Sequence, residues 1–299
     1  MDNRQTLGAA KAGNWLGRTK ASFGARVEDA KSRAVARWHV LLCVIAALNL
    51  VIWSLSAIAV GHAPTVSHGG FGALSQLQLL LSAAYVIGCA YRSVLPVYDI
   101  PRVVLVDSRL SSVIVGRTVA TVAELCFAAQ WAVMLHHMAV LSDSLPGRML
   151  SEAVLPIIVL AELSSWYAVL TTAQRAHALE NALWAVSATL VVAGLLVMEP
   201  NRVTGLRVPI ITWCVGGAAY VAYIFLFDVP AYWSRWRADQ ATGHQYLSLS
   251  HGVIDASRRR IVCHRWEVWK SEVLWMTLYF AFGVWTSVSL VYASITLGP

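Results

Sequence analysis

The sequence predicts an all-α integral membrane protein: a polytopic bundle of seven transmembrane helices, amino terminus cytoplasmic and carboxyl terminus outside. Three observations predict it. Apolar residues fill 58% of the 299 positions and charged residues only 13%, against roughly half and a quarter in soluble domains. The apolar residues fall in seven continuous runs without β-barrel alternation, and only helices carry such runs across lipid. With the amino end inside, 20 of the 23 lysines and arginines lie on the cytoplasmic side, as the positive-inside bias requires.

The elements follow in order. Residues 1–37 form a basic, polar arm in which Trp15, Leu16, Phe23 and Val27 recur at roughly helical spacing. The arm is expected to lie as an amphipathic helix on the inner surface, although Gly8, Gly13, Gly17 and Gly24 weaken it. Spans are predicted at 38–60, 73–95, 117–140, 153–173, 180–198, 208–228 and 272–295, each near the roughly 20 residues that cross a core of about 30 Å. Gln76 and Gln78 open the second span, which is therefore expected to face protein there. The outer loops are short. The one sizeable segment outside lipid is 229–271, whose Trp233, Arg235, Trp236 and Arg237 suit a headgroup-level anchor. Two parts result: the arm 1–37, and a membrane domain 38–299 that includes the cytoplasmic 229–271 segment.

The net charge of +7 follows from basic residues placed where an anionic inner leaflet attracts them. They are dispersed over four segments with no compact domain to read a groove, so no nucleic-acid partner is expected. Five cysteines, odd in number and without a CxxC, form no disulfide framework. A polar start followed by a run of spanning length reads as no cleavable signal. The expected setting is a multi-pass place in a bacterial inner membrane or its equivalent, with the lipid bilayer as the first partner.

Ionisable residues at bilayer depth are costly and so mark function. Glu124 in the third span and Glu162 in the fourth stand out. They are expected about 10 and 16 Å above the inner boundary, one helical turn apart in height. Adjacent carboxyls in apolar surroundings repel when both are ionised, so such a pair is expected to keep a proton usable in acid/base chemistry. Arg117 is the nearest basic residue on the same helix face. It lies about 10.5 Å of helical rise below Glu124, too far for direct pairing unless its side chain climbs. Local hydrogen-bonding partners are Gln130, Ser165 and Tyr167.

His177 and Glu180, three apart, precede the fifth span; His264 and Glu267 repeat the spacing before the seventh, with Glu272 beyond. Positions i and i+3 share a helix face, and these four residues form a candidate transition-metal site, although the usual order is Glu-x-x-His. The alternative is a set of polar helix ends at the interface, well below the two glutamates. His62, His68, His136 and His137 gather towards the outer face, a weaker candidate of the same kind.

Several membrane chemistries lack their residues. Lys270, the only lysine after Lys31, sits at the edge of the last span, where a retinal Schiff base is not expected. No histidine lies in that span, as zinc-dependent seven-span hydrolases need, and neither Asp-rich prenyltransferase boxes nor desaturase histidine boxes occur. Tryptophan is abundant within the spans, and Trp131 and Trp166, with Tyr167 and Gln130, are the expected lining of a pocket for a greasy molecule. The function expected is a membrane-embedded enzyme acting on a lipid-like or isoprenoid-like substrate, with Glu124 and Glu162 as its acid/base pair. The alternatives are a proton- or cation-coupled transporter or channel using the same glutamates, and an accessory or sensor subunit.

Overall fold

The computed structural model describes the backbone of residues 5–62, 71–198 and 206–297, and the side chains of 31–62, 72–198 and 206–297. Among the described residues, seven helices are long and apolar enough to cross a membrane. They are α1 (Gln5–His62), α2 (Phe71–Val94), α3 (Val113–Leu141), α4 (Leu145–Thr171), α5 (Gln174–Val197), and two composite helices. The sixth span joins α6 (Arg207–Tyr223) to α7 (Val229–Thr242) through a π-helical segment, Ile224–Asp228. After α8 (Leu249–Arg258), the seventh joins α9 (Trp266–Leu278) to α10 (Val284–Thr296) through a second, Tyr279–Gly283. An all-α bundle with seven such helices agrees with the predicted fold class. The helices outrun their apolar runs because polar residues at either end continue the same backbone hydrogen bonding beyond the apolar stretch.

Two details depart from the sequence reading. Much of the 229–271 segment is a helical continuation: α7 extends the sixth span and carries Trp233 and Trp236 with ring centroids 4.6 Å apart. Three two-residue strands also exist in a chain read as wholly helical. β1 (Val97–Tyr98) pairs antiparallel with β2 (Val103–Val104), which pairs parallel with β3 (Ile261–Val262). Such short strands leave no trace in hydrophobic periodicity. Arg102, with φ at 57°, turns the chain between the first two. Its buried guanidinium donates to Asp255 Oδ2 at 3.0 Å and to the Asp99 and Val169 carbonyls at 2.8 Å, so the 95–112 loop, α8 and the end of α4 are fastened together.

Local chemistry sets the helix ends. Ser144 caps α4 by accepting from the Gly147 amide at 3.2 Å, with proline in the first turn. Ser248 caps α8 in the same way through His251. On α8, Gly252 and Ala256 are four apart and buried. A Cβ on Gly252 would collide with the Leu170 carbonyl, so glycine lets α8 lie flat on the end of α4. The apolar positions of the expected amphipathic arm, Trp15, Leu16, Phe23 and Val27, have side chains outside the described set; from Gln5 onward the backbone continues into α1.

Helices α1 to α6 pack each against the next in sequence, and α9–α10 returns to pack on α1, α2 and α3. Helix α6 leans mainly on α5 and meets α10 only slightly, through Trp213, whose indole donates to Ser289 Oγ at 2.9 Å. Beside two smaller clusters around Val104 and Ala173, two large apolar cores result. One surrounds Met134, Leu135, Met138, Leu195 and Leu290; the other surrounds Trp38, Leu42, Tyr85, Trp269 and Phe280. Large residues such as Val40, Leu80, Leu163 and Leu226 face outward, as lipid-contacting positions should. Of the two glutamines at the start of the second span, Gln78 is fully buried and Gln76 is exposed. Gln78 and Gln130 each donate to the other's backbone carbonyl, at 3.0 and 3.1 Å, and the Ser287 hydroxyl donates to Gln130 Oε1. This latch ties α2, α3 and α10 together.

Candidate functional site

Glu124 and Glu162 meet, and what joins them is Arg117. Its Nη2 donates to Glu124 Oε2 and to Glu162 Oε2, both at 2.7 Å. Its Nη1 lies 3.7 Å from Glu180 Oε1. The long side chain does climb the α3 face, so the expected separation is overturned. A guanidinium buried in apolar surroundings is stabilised by reaching a carboxylate, whatever the rise between the two backbones.

The cluster extends over four helices. From α3, Thr121 donates to Glu162 Oε2 at 2.6 Å, and Trp166 from α4 donates to Thr121 at 3.0 Å. From the π segment of the last span, Tyr279 donates to Glu124 Oε1 at 3.0 Å. In the same segment the Phe280 carbonyl accepts from Asn49 at 2.8 Å. A π turn shifts the hydrogen-bond register by one residue, which frees that carbonyl and swings Tyr279 onto the carboxyl.

His177 and Glu180 belong to this cluster. Their side chains are buried, with His177 Nδ1 2.7 Å from Glu180 Oε2. The expectation of a polar helix end well below the glutamates is therefore wrong: α5 starts at Gln174, six residues before the apolar run, and carries both side chains buried, with Glu180 beside Arg117. The second His/Glu pair differs. Glu267 is exposed and bonded to Lys31 at 2.8 Å and Lys270 at 2.7 Å. His264 is exposed just before α9. Among the described residues no group of three or more His, Cys, Asp and Glu side chains is disposed to hold a metal ion. Of the outer histidines, His136 Nδ1 contacts Ser151 Oγ at 3.3 Å, His62 Nδ1 the Ile58 carbonyl at 2.8 Å, and His68 lies outside the described residues.

One face of the cluster lines a cavity of about 560 Å³. It runs from Glu267, at the exposed start of α9, inward to Arg117, Glu124 and Glu180. At the rim, burial and then the nearby Glu272 carboxylate push the Tyr98 phenol up, so it stands there as a neutral hydroxyl. A second cavity of about 530 Å³ adjoins it and is apolar, with Phe127, Trp131, Ile158, Trp213 and Phe282 in its wall. Trp184, Tyr220, Tyr223, Trp275 and Tyr279 line both. The wall of the second cavity draws on both the sixth and seventh spans, which the Trp213–Ser289 hydrogen bond ties together.

The four residues expected to line one pocket lie in different places. Trp131 lines the apolar cavity. Trp166 supports the carboxyl cluster through Thr121, Gln130 is spent in its latch, and Tyr167 is exposed on the outer surface of α4. Tyr279, Tyr232 and Asp228 escaped the sequence reading. Only Asp228, an acid at the end of an apolar run, carried a signal there.

With every group ionised, three carboxylates face one guanidinium, and even a protonated His177 leaves the cluster negative. Uncompensated buried charge costs several kcal/mol. An added proton or a bound cation supplies the balance, so the cluster is equipped to exchange one or the other. No protein-family model, curated protein or solved structure matches this chain.

Proposed function

We propose that this is a membrane-embedded enzyme acting on an amphiphilic, lipid-like molecule, whose polar head reaches the carboxyl cluster while its tail occupies the aromatic cavity. The observation that carries the reading is the adjoining pair of cavities, one polar and one apolar, with a shared aromatic wall. Ligand sites are concave, largely apolar and armed with a few convergent polar groups, and this pair fits that description at bilayer depth. Glu124 is the acid/base group of the reaction: of the two glutamates that share Arg117 Nη2, it is the one that lines the polar cavity. Glu162, behind it and bonded to the same guanidinium, positions Arg117.

The substrate enters sideways from the lipid through the crevice between the sixth and seventh spans. Gly216 faces that crevice, and a Cβ there would meet no atom within 4 Å. Gly216→Trp should fill the apolar cavity without disturbing the fold. Mass spectrometry of lipids copurifying with the two proteins is expected to show one class retained by the wild type and depleted at least about tenfold in the variant. Equal lipid profiles would sink the reading.

A second reading, proton- or cation-coupled transport, is favoured by one observation. Both helices flanking the crevice carry a π segment, at Ile224–Asp228 and Tyr279–Gly283, and such segments are frequent where helices flex at functional sites. In either reading the arginine-rich end faces the cytoplasm, because that side then holds the basic residues. A cysteine placed within 63–70 should react with an impermeant reagent on intact cells, and one within 243–247 only after permeabilisation. The reverse pattern would invert the orientation.

A further inference from the structure

Resting on the amphiphile reading, we infer that the ligand is an organic cation: an ammonium head seated among Asp228, Tyr232 and Glu272, with its tail in the adjoining aromatic cavity. The polar cavity is lined by six acidic side chains against three arginines. Two of those arginines are committed. Arg117 is held by the carboxyl cluster, and Arg92 donates to the Gly116 and Val97 carbonyls at 3.3 and 3.2 Å. Asp228 and Glu272, by contrast, have no ion-pair partner among the described residues.

The wall between them is aromatic. Tyr232 stacks on His177 with centroids 5.2 Å apart, and Trp275 and Tyr279 pair at 4.5 Å. Aromatic faces attract ammonium and guanidinium groups, most strongly where water is excluded. This wall already holds one: the Arg235 guanidinium lies 5.2 Å from the Tyr232 ring centre. Arg235 thus occupies the place an incoming ammonium would take, and yields it to a ligand bearing the same charge. In the apolar cavity the fully buried Tyr85 hydroxyl lacks a hydrogen-bond partner, a polar group set to meet something in that space. An anionic head would face the Asp228 and Glu272 carboxyls, neither with an ion-pair partner among the described residues, against one uncommitted guanidinium, so a phosphate or sulfate ester is disfavoured. A bare metal ion lacks a ligand set among the described residues.

The test uses the full chain in zwitterionic nanodiscs, titrated with dodecyltrimethylammonium, 1-dodecanol and, at pH 8, dodecanoate. The readout is the tryptophan fluorescence change, corrected with empty discs. The ammonium should bind saturably and at least about tenfold more tightly than the alcohol, with the carboxylate weakest. Asp228→Asn with Glu272→Gln should abolish that preference and leave dodecanol binding unchanged. Arg235→Gln should tighten ammonium binding alone; an unchanged or weaker affinity would remove the head from Tyr232. If all three probes bind alike, the amphiphile site stands and its charge selectivity is wrong. If none binds saturably to folded protein, both readings fall.

Discussion

Replacing Arg117 by methionine is expected to destabilise the protein by about 3–5 kcal/mol, the usual cost of removing one partner from a buried ion pair. Methionine fills a similar volume, so lost packing contributes little. What remains is Glu124, Glu162 and Glu180 with no guanidinium between them. Arg117→Lys keeps the charge but not the planar fork that reaches two carboxylates from one nitrogen and a third from the other, and should lose part of the same stability. The decisive comparison is the triple variant Arg117→Met, Glu124→Gln, Glu162→Gln. With two charges removed beside the arginine, it should regain most of what the single variant loses. Thermal unfolding in detergent, followed by size-exclusion profile, reads all three. Wild-type stability in Arg117→Met would mean that the guanidinium does not compensate the carboxyls.

The sequence made the bundle legible because lipid imposes one rule everywhere: a run that crosses must be apolar and helical. All seven spans follow from it. Glu124 and Glu162 were legible for the same reason, as exceptions to an apolar background. What the background could not show is depth measured from a helix start. His177 and Glu180 looked interfacial because the apolar run begins after them, yet α5 is already three residues old at His177. Arg117 was visible on the correct face, seven positions before Glu124. Its role turned on a rotamer, and a rotamer is set by tertiary partners. The π segments and the three short strands depend on side-chain contacts between distant segments, such as Asn49 with the Phe280 carbonyl and Arg102 with Asp255. No local pattern encodes those.

The largest effect on function should come from Glu124→Gln. Wild-type protein incubated with a total lipid extract of its host is expected to convert one component, seen by mass spectrometry, and Glu124→Gln should slow that conversion by about 10²–10⁴-fold, the usual contribution of a positioned acid or base. Glutamine keeps the length and shape of the side chain and can still accept from Arg117 or Tyr279 through its carbonyl. Its amide nitrogen must displace one of those two donors, a mismatch of about 1–3 kcal/mol. Removing a negative charge from a cluster with an excess of them offsets that, so folded yield should be nearly unchanged. Glu162→Gln is the control that separates roles. Its Oε2 accepts from Arg117 and Thr121, and it lines neither cavity, so it touches no ligand and acts through the guanidinium. It should slow conversion less than Glu124→Gln, and its rate should vary with pH differently from the wild type, because Arg117 then faces one carboxyl fewer beside Glu124. A purely structural glutamate would behave otherwise, since a neutral carboxyl and an amide make similar hydrogen bonds and conversion would survive. If both variants match the wild type in rate and pH profile, the carboxyl cluster holds helices together and the chemistry lies elsewhere.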